Sequence, residues 1–123
     1  MATTMKVFWN DDGRGPALDS PVDADLEQVQ RISSDEIRGM EGNFLGLVDD
    51  AGRTVQFYFV ASIPNDIEDA RHLDIVLLDF PQPERKGSYS ARVTIGEMDD
   101  LIVRVFRDGA DYRKFEQVQF TPW

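Results

Sequence analysis

One stretch near the middle of the chain does most to limit the fold: Asp49-Asp50-Ala51-Gly52-Arg53, with β-forming runs on both sides. Before it, residues 44–48 read Phe-Leu-Gly-Leu-Val. After it, residues 54–61 read Thr-Val-Gln-Phe-Tyr-Phe-Val-Ala. Aromatic and branched residues fit a pleated surface, and a short acid-and-glycine segment between two such runs is a hairpin signal. Aspartate suits the turn because its side chain bonds the backbone nearby, and Gly52 supplies a positive φ. Along residues 54–61, Val55, Phe57 and Phe59 share one face, and Gln56, Tyr58 and Val60 the other. Apolar groups on both faces predict a central strand.

The rest of the chain adds elements around this hairpin. Residues 5–9 predict a first strand, followed by a glycine- and proline-punctuated loop. Ser20, Pro21 and Asp23 resemble a helix start, with Ser20 as cap and Pro21 at the first helical position. Val22, Leu26, Val29 and Ile32 then lie on one stripe, and a strand over residues 29–32 is the alternative. Ser34 begins a further short helical turn that ends near Gly39 or Gly42. Strands are expected over residues 73–80, 88–93 and 117–120. Between the last two lies the clearest helix. Thr94 and Glu97 form a capping box, Ile95, Met98, Leu101, Ile102, Val105 and Phe106 trace its apolar stripe, and Gly109 stops it. The expectation is a single α+β domain over residues 1–123: a mostly antiparallel sheet of about five strands, with two helices packed on one face.

Composition narrows the functions available. A 41% hydrophobic content excludes a disordered chain, and the eight phenylalanines should supply much of the core. There is no cysteine, so disulfides, thiol chemistry and thiolate zinc sites are excluded. No stretch is apolar enough to span a bilayer, and the start lacks an apolar leader, so a cytoplasmic protein without membrane contact is expected. The net charge is −10. Residues 1–50 hold eleven acids and four bases, against twelve and nine in residues 51–123. Such a field repels nucleic-acid backbones and favours a basic protein partner. The acids proposed to meet that partner are Asp11, Asp12, Asp23, Asp25, Glu27, Asp35, Glu36 and Asp50.

No motif for catalysis, metal or cofactor emerges. Asp11-Asp12, Asp49-Asp50 and Asp99-Asp100 are adjacent pairs explained by turns and a helix start, without the convergent oxygens that magnesium or calcium needs. His72 is the only histidine. It has Asp74 two residues on, but no nucleophile motif accompanies it. Phosphate-binding glycine loops are missing. The bases Arg104, Arg107, Arg113 and Lys114 cluster late, and Arg104 and Arg107 are expected to pair with Asp100 and Asp108 on a solvated helix face. A second class of function, a small-molecule binder or enzyme with a sheet-lined cleft, would draw on Tyr58, His72, Tyr89 and Arg92. A third, a phage or mobile-element protein that mimics DNA, would need its acids spaced regularly along one surface.

The second half of the chain carries a resemblance. Its order is an acid-glycine turn and strand, a further strand, Val93-Thr94 leading a helix that ends in Phe106-Arg107-Asp108-Gly109-Ala110, and a close at Trp123. This is similar to the first-numbered family of immunity proteins in bacterial polymorphic toxin systems, matched at Val93, Thr94, Phe106, Gly109 and Trp123. The resemblance implies a small acidic α+β protein that covers a basic toxin or nuclease. Residues 81–90 stand where that family has a glycine- and proline-rich segment.

Overall fold

The alternating residues around Asp49–Arg53 do form a hairpin, and the rest of the sheet is laid down on either side of it. The structure is a computed structural model describing residues 3–123. Strands β1 (Thr4–Asn10), β2 (Val22–Asp25), β3 (Phe44–Val48), β4 (Thr54–Phe59), β5 (Val76–Gln82), β6 (Gly87–Val93) and β7 (Gln119–Pro122) join one antiparallel sheet. Its order is β2-β1-β3-β4-β5-β6-β7, so β4 is the middle strand and β2 and β7 are the outer ones. The sheet thus has seven strands rather than about five. Helix α1 (Leu26–Arg31) joins β2 to β3, and α2 (Ile95–Asp108) joins β6 to β7.

Register decides which residues meet. Val7, Leu47 and Val55 lie in one cross-strand row, and Leu45, Phe57 and Leu78 in the next. All six are fully buried. They share a core with Val29 of α1 and with Met98, Leu101, Ile102 and Val105 of α2, so both helices cover the same face of the sheet. Phe57, Phe80 and Phe115 are the largest side chains fully removed from water. Each contributes about 2–3 kcal/mol by area, before the cost of ordering it.

α2 follows its sequence signals. The Thr94 hydroxyl accepts from the Glu97 amide at 3.0 Å, and the Glu97 carboxylate accepts from the Thr94 amide at 2.9 Å. Gly109 at φ 85° ends the helix. On its outer side Arg107 pairs with Asp108 as expected. Arg104 does not meet Asp100. It lies 4.6 Å from the Phe115 ring centre and donates to the Lys114 carbonyl at 2.7 Å.

The first helix departs from expectation at its start. Residues 22–25 are strand β2, paired with β1 through Val7↔Val22 and Met5↔Ala24. The cap is Asp25, not Ser20, and its box partner is Gln28. Ser20, Pro21 and Asp23 carry helix-start chemistry, yet Ala24 is buried by pairing with β1, and that long-range contact outweighs the local preference. The short helix expected at Ser34 is instead a π-helical turn over Ile32–Glu36 that continues α1, closed by the Ile37 amide donating to the Ile32 carbonyl at 3.2 Å. Strand β5 begins at Val76, later than expected, and runs on through Pro81 to Gln82.

Candidate functional site

With both helices on one face, the other face of the sheet carries side chains that no helix covers. Its rows follow from register. One runs Asn10, Phe44, Tyr58, Leu77, Arg92; the next runs Phe8, Gly46, Gln56, Asp79, Ser90, Gln119. Phe8, Phe44 and Tyr58 form a continuous aromatic ribbon, with ring centres 6.1 Å and 4.8 Å apart. Gly46 makes the ribbon possible. A Cβ there would lie 2.0 Å from Phe8 Cζ, so the Phe8 ring occupies the space of the missing side chain.

Beyond Tyr58 the face dips into a concavity of about 460 Å³, lined by Gln56, Tyr58, Leu77, Asp79, Pro81, Ser88 and Trp123 among others. Trp123 forms its outer wall. The indole N–H donates to the Ser88 hydroxyl at 3.0 Å and the Trp123 amide to the Lys86 carbonyl at 2.8 Å, yet the residue stays 70% exposed. A second concavity, of about 370 Å³, shares Gln56 and Pro81 and is bounded by the exposed Leu18. The two are neighbours across Gln56 and Pro81, and the first, beside Asp79, is the trough of the uncovered face.

Asp79 is the carboxyl group that lines this trough. It is half-buried, and burial pushes its carboxyl above the usual carboxylate range, while the Ser88 hydroxyl works against that rise. Burial, then the nearby Asp79 charge, likewise raises the Tyr58 phenol. Three other acids withdrawn from water are matched to a guanidinium: Asp11 to Arg38 at 3.1 Å, Asp49 to Arg53 at 2.9 Å and Asp111 to Arg113 at 2.9 Å. Among the described residues, Asp79 belongs to no ion pair.

The acids expected to meet a partner are not gathered into one patch. Asp11 is buried. It accepts from the Arg38 amide and guanidinium at 3.1 Å and from the Asn43 amide group at 2.9 Å. The Arg38 amide and side chain hold its carboxyl below the ordinary range, so its role is to pin the loop after β1. Asp12 is exposed beside it. Asp35 and Glu36 lie exposed on the π-helical turn, which returns the chain toward Arg38. Asp25 caps α1, Glu27 lies in its first turn and pairs with Arg31 one turn on, and Asp50 is exposed in the β3–β4 turn. These belong to the opposite end of β1, where Thr4 pairs with Asp25 and Lys6 with Val48. Asp23 sits on the outer strand β2, not on a helix, and pairs with Lys6 at 2.8 Å. The acids therefore divide between the two ends of the sheet.

The residues named for a cleft do not converge either. Tyr58 lines the trough. Tyr89 points to the helix side, stacked on Tyr112 with ring centres 3.9 Å apart. Arg92 is exposed and donates to the Asp74 carbonyl at 3.2 Å, and His72 is exposed in the loop before β5. Sequence reasoning missed Leu77, Asp79, Ser88 and Trp123 as neighbours. One signal was available: Asp79 is the lone acid within the apolar run Ile75-Val76-Leu77-Leu78-Asp79-Phe80.

Asp49, half of the acid pair in the β3–β4 turn, has a fixed structural role. One carboxylate oxygen accepts from the Ala51 and Arg53 amides at 3.0 and 2.9 Å. The other accepts from the Arg53 guanidinium and the Ala110 amide, both at 2.9 Å. The hairpin is thereby tied to the loop after α2. Among the described residues, no group of three or more His, Asp or Glu side chains is placed to hold a metal ion. Comparison with protein-family models, with curated proteins and with solved structures finds no match to this chain.

Proposed function

We propose that this chain is a non-catalytic acidic interaction protein that binds a basic partner protein against the uncovered face of its sheet. One observation carries the reading: a seven-stranded sheet with both helices on one side, and an aromatic trough holding an unpaired carboxylate on the other. Trp123, which is exposed, and the part-exposed Tyr58 supply aromatic contact area at low entropic cost, and the net charge of −10 draws a basic protein toward them. The exposed acids at the two ends of the sheet act at longer range, speeding association without forming the contact itself. In its sharpest form the reading is an immunity protein that covers a toxin or nuclease surface. It is supported by the resemblance at Val93, Thr94, Phe106, Gly109 and Trp123, and Trp123 lines the trough.

A small-molecule binder is the second reading, favoured by a concavity whose volume falls in the range of ligand sites. A DNA mimic draws less support, because the acids split between two ends instead of forming a regular row. The test is affinity capture from the native host with wild-type protein and a Tyr58→Arg variant, with folding checked by circular dichroism. The expected outcome is a basic protein retained by wild type, released by high salt and lost with Tyr58→Arg. Retention of the same protein by the variant, or capture of only acidic proteins, would overturn the reading.

A further inference from the structure

We propose that the trough is an arginine-accepting site, in which a side chain of the basic partner pairs with Asp79 between Tyr58 and Trp123. The inference rests on the interaction reading above and names what enters the face. Its basis is a contrast within the molecule. Asp11, Asp49 and Asp111 each leave water only with a guanidinium at 2.9–3.1 Å. Asp79 is half out of water with the Ser88 hydroxyl beside it but no such partner. Withdrawing a carboxylate costs free energy unless a charge or hydrogen bonds compensate, and one hydroxyl leaves the charge unmatched, so the site is complementary to a cation brought from outside.

The surroundings favour arginine over lysine. A guanidinium presents five N–H donors in a plane, forks onto a carboxylate and stacks on aromatic faces, whereas an ammonium is a compact and strongly hydrated charge. Around Asp79 the site offers Tyr58 and Trp123 as aromatic walls, Leu77 and Pro81 for the aliphatic stem, and the Gln56 carbonyl as a further acceptor. The protein already uses this mode internally, since Arg104 lies against Phe115 while donating to a carbonyl.

The experiment is a titration of isotope-labelled protein, followed by amide and indole chemical shifts, with hexa-arginine, hexa-lysine and neutral hexa-citrulline peptides. Hexa-arginine should move Tyr58, Leu77, Asp79, Ser88 and the Trp123 indole in one saturable process. Hexa-lysine should bind at least threefold more weakly, and hexa-citrulline not at all. Asp79→Asn should weaken hexa-arginine by tenfold or more, while Asp50→Asn and Glu27→Gln change it less than twofold. The Asp79→Asn protein should melt no lower than wild type, which separates lost binding from lost folding. Shifts centred on Asp12, Glu27 and Asp50, or an Asp79→Asn titration like that of wild type, would overturn the assignment. If the peptide misses the trough while Tyr58→Arg still loses the native partner, only the arginine assignment falls. If Tyr58→Arg keeps that partner, the interaction reading falls with it.

Discussion

Removing the charge of Asp49 tests whether the hairpin turn and the end of α2 are held by one carboxylate. Its side chain is 6% exposed and takes four hydrogen bonds, two on each oxygen. Asp49→Asn keeps one oxygen and replaces the other with an NH₂ group facing two donors. The Arg53 guanidinium is 42% exposed and can turn to water. The Ala110 amide is part-buried and has less recourse. A hydrogen bond to a charged group contributes about 1.5–3 kcal/mol, and a stranded buried donor costs a similar amount, so the variant should lose about 2–3 kcal/mol. Asp50→Asn, at the exposed neighbour, should stay within about 0.5 kcal/mol. Urea unfolding followed by tryptophan fluorescence reads both, with an unchanged slope confirming that stability alone has moved.

The pH dependence of the Asp49 effect has a definite sign. Burial raises the Asp49 carboxyl, but bonds from the Arg53 and Ala110 amides and the Arg53 side chain outweigh it, leaving it below the ordinary range. A lowered folded value gives stability that is fully present above the unfolded aspartate value, roughly 3.9, and is lost as pH falls through the folded one. The gap between wild type and Asp49→Asn should therefore hold steady near neutrality and close only in strong acid. A gap under about 0.5 kcal/mol at neutral pH, or one unchanged in strong acid, would refute the linkage.

Two further outcomes are expected. Gly46→Ala places a methyl group 2.0 Å from Phe8 Cζ and should cost about 1–3 kcal/mol through overpacking. Combined with Phe8→Leu it should cost less than the two single changes together, as a denaturation cycle would show. Asp79→Asn should stabilise the fold near neutral pH. A carboxyl whose folded value is raised costs stability while ionised, and that cost vanishes as pH falls through the folded value, so the advantage should shrink in acid. Melting curves at several pH values check the trend.

What could be read in advance follows the range of the interactions involved. α2 was legible because its cap, stripe and stop lie within 16 consecutive residues, Thr94 to Gly109, and each acts locally. The β3–β4 hairpin was legible for the same reason. β2 was not, since Ser20, Pro21 and Asp23 signal a helix start locally and only pairing with β1 makes the segment a strand. The bond from Ala110 to Asp49 joins residues 61 apart, so the acid pair could be recognised as a turn but not as an anchor. The trough was half legible. Alternation put Tyr58 opposite Phe57 and Phe59, but nothing local says which face the helices will cover. Trp123 reaches Ser88 only through the pairing of β7 with β6.

The outer strands carry a consequence for self-association. A sheet grows when a second copy adds its own strand along an open rim, the route to fibres and swapped dimers. Here each rim is four residues long. The β7 rim includes Pro122, which has no N–H to offer an incoming strand, and the β2 rim carries Asp23 and Asp25, whose like charges would face those of a second copy. Rims of this kind discourage templated growth, so the aromatic trough can stay exposed on a chain whose edges resist stacking into aggregates.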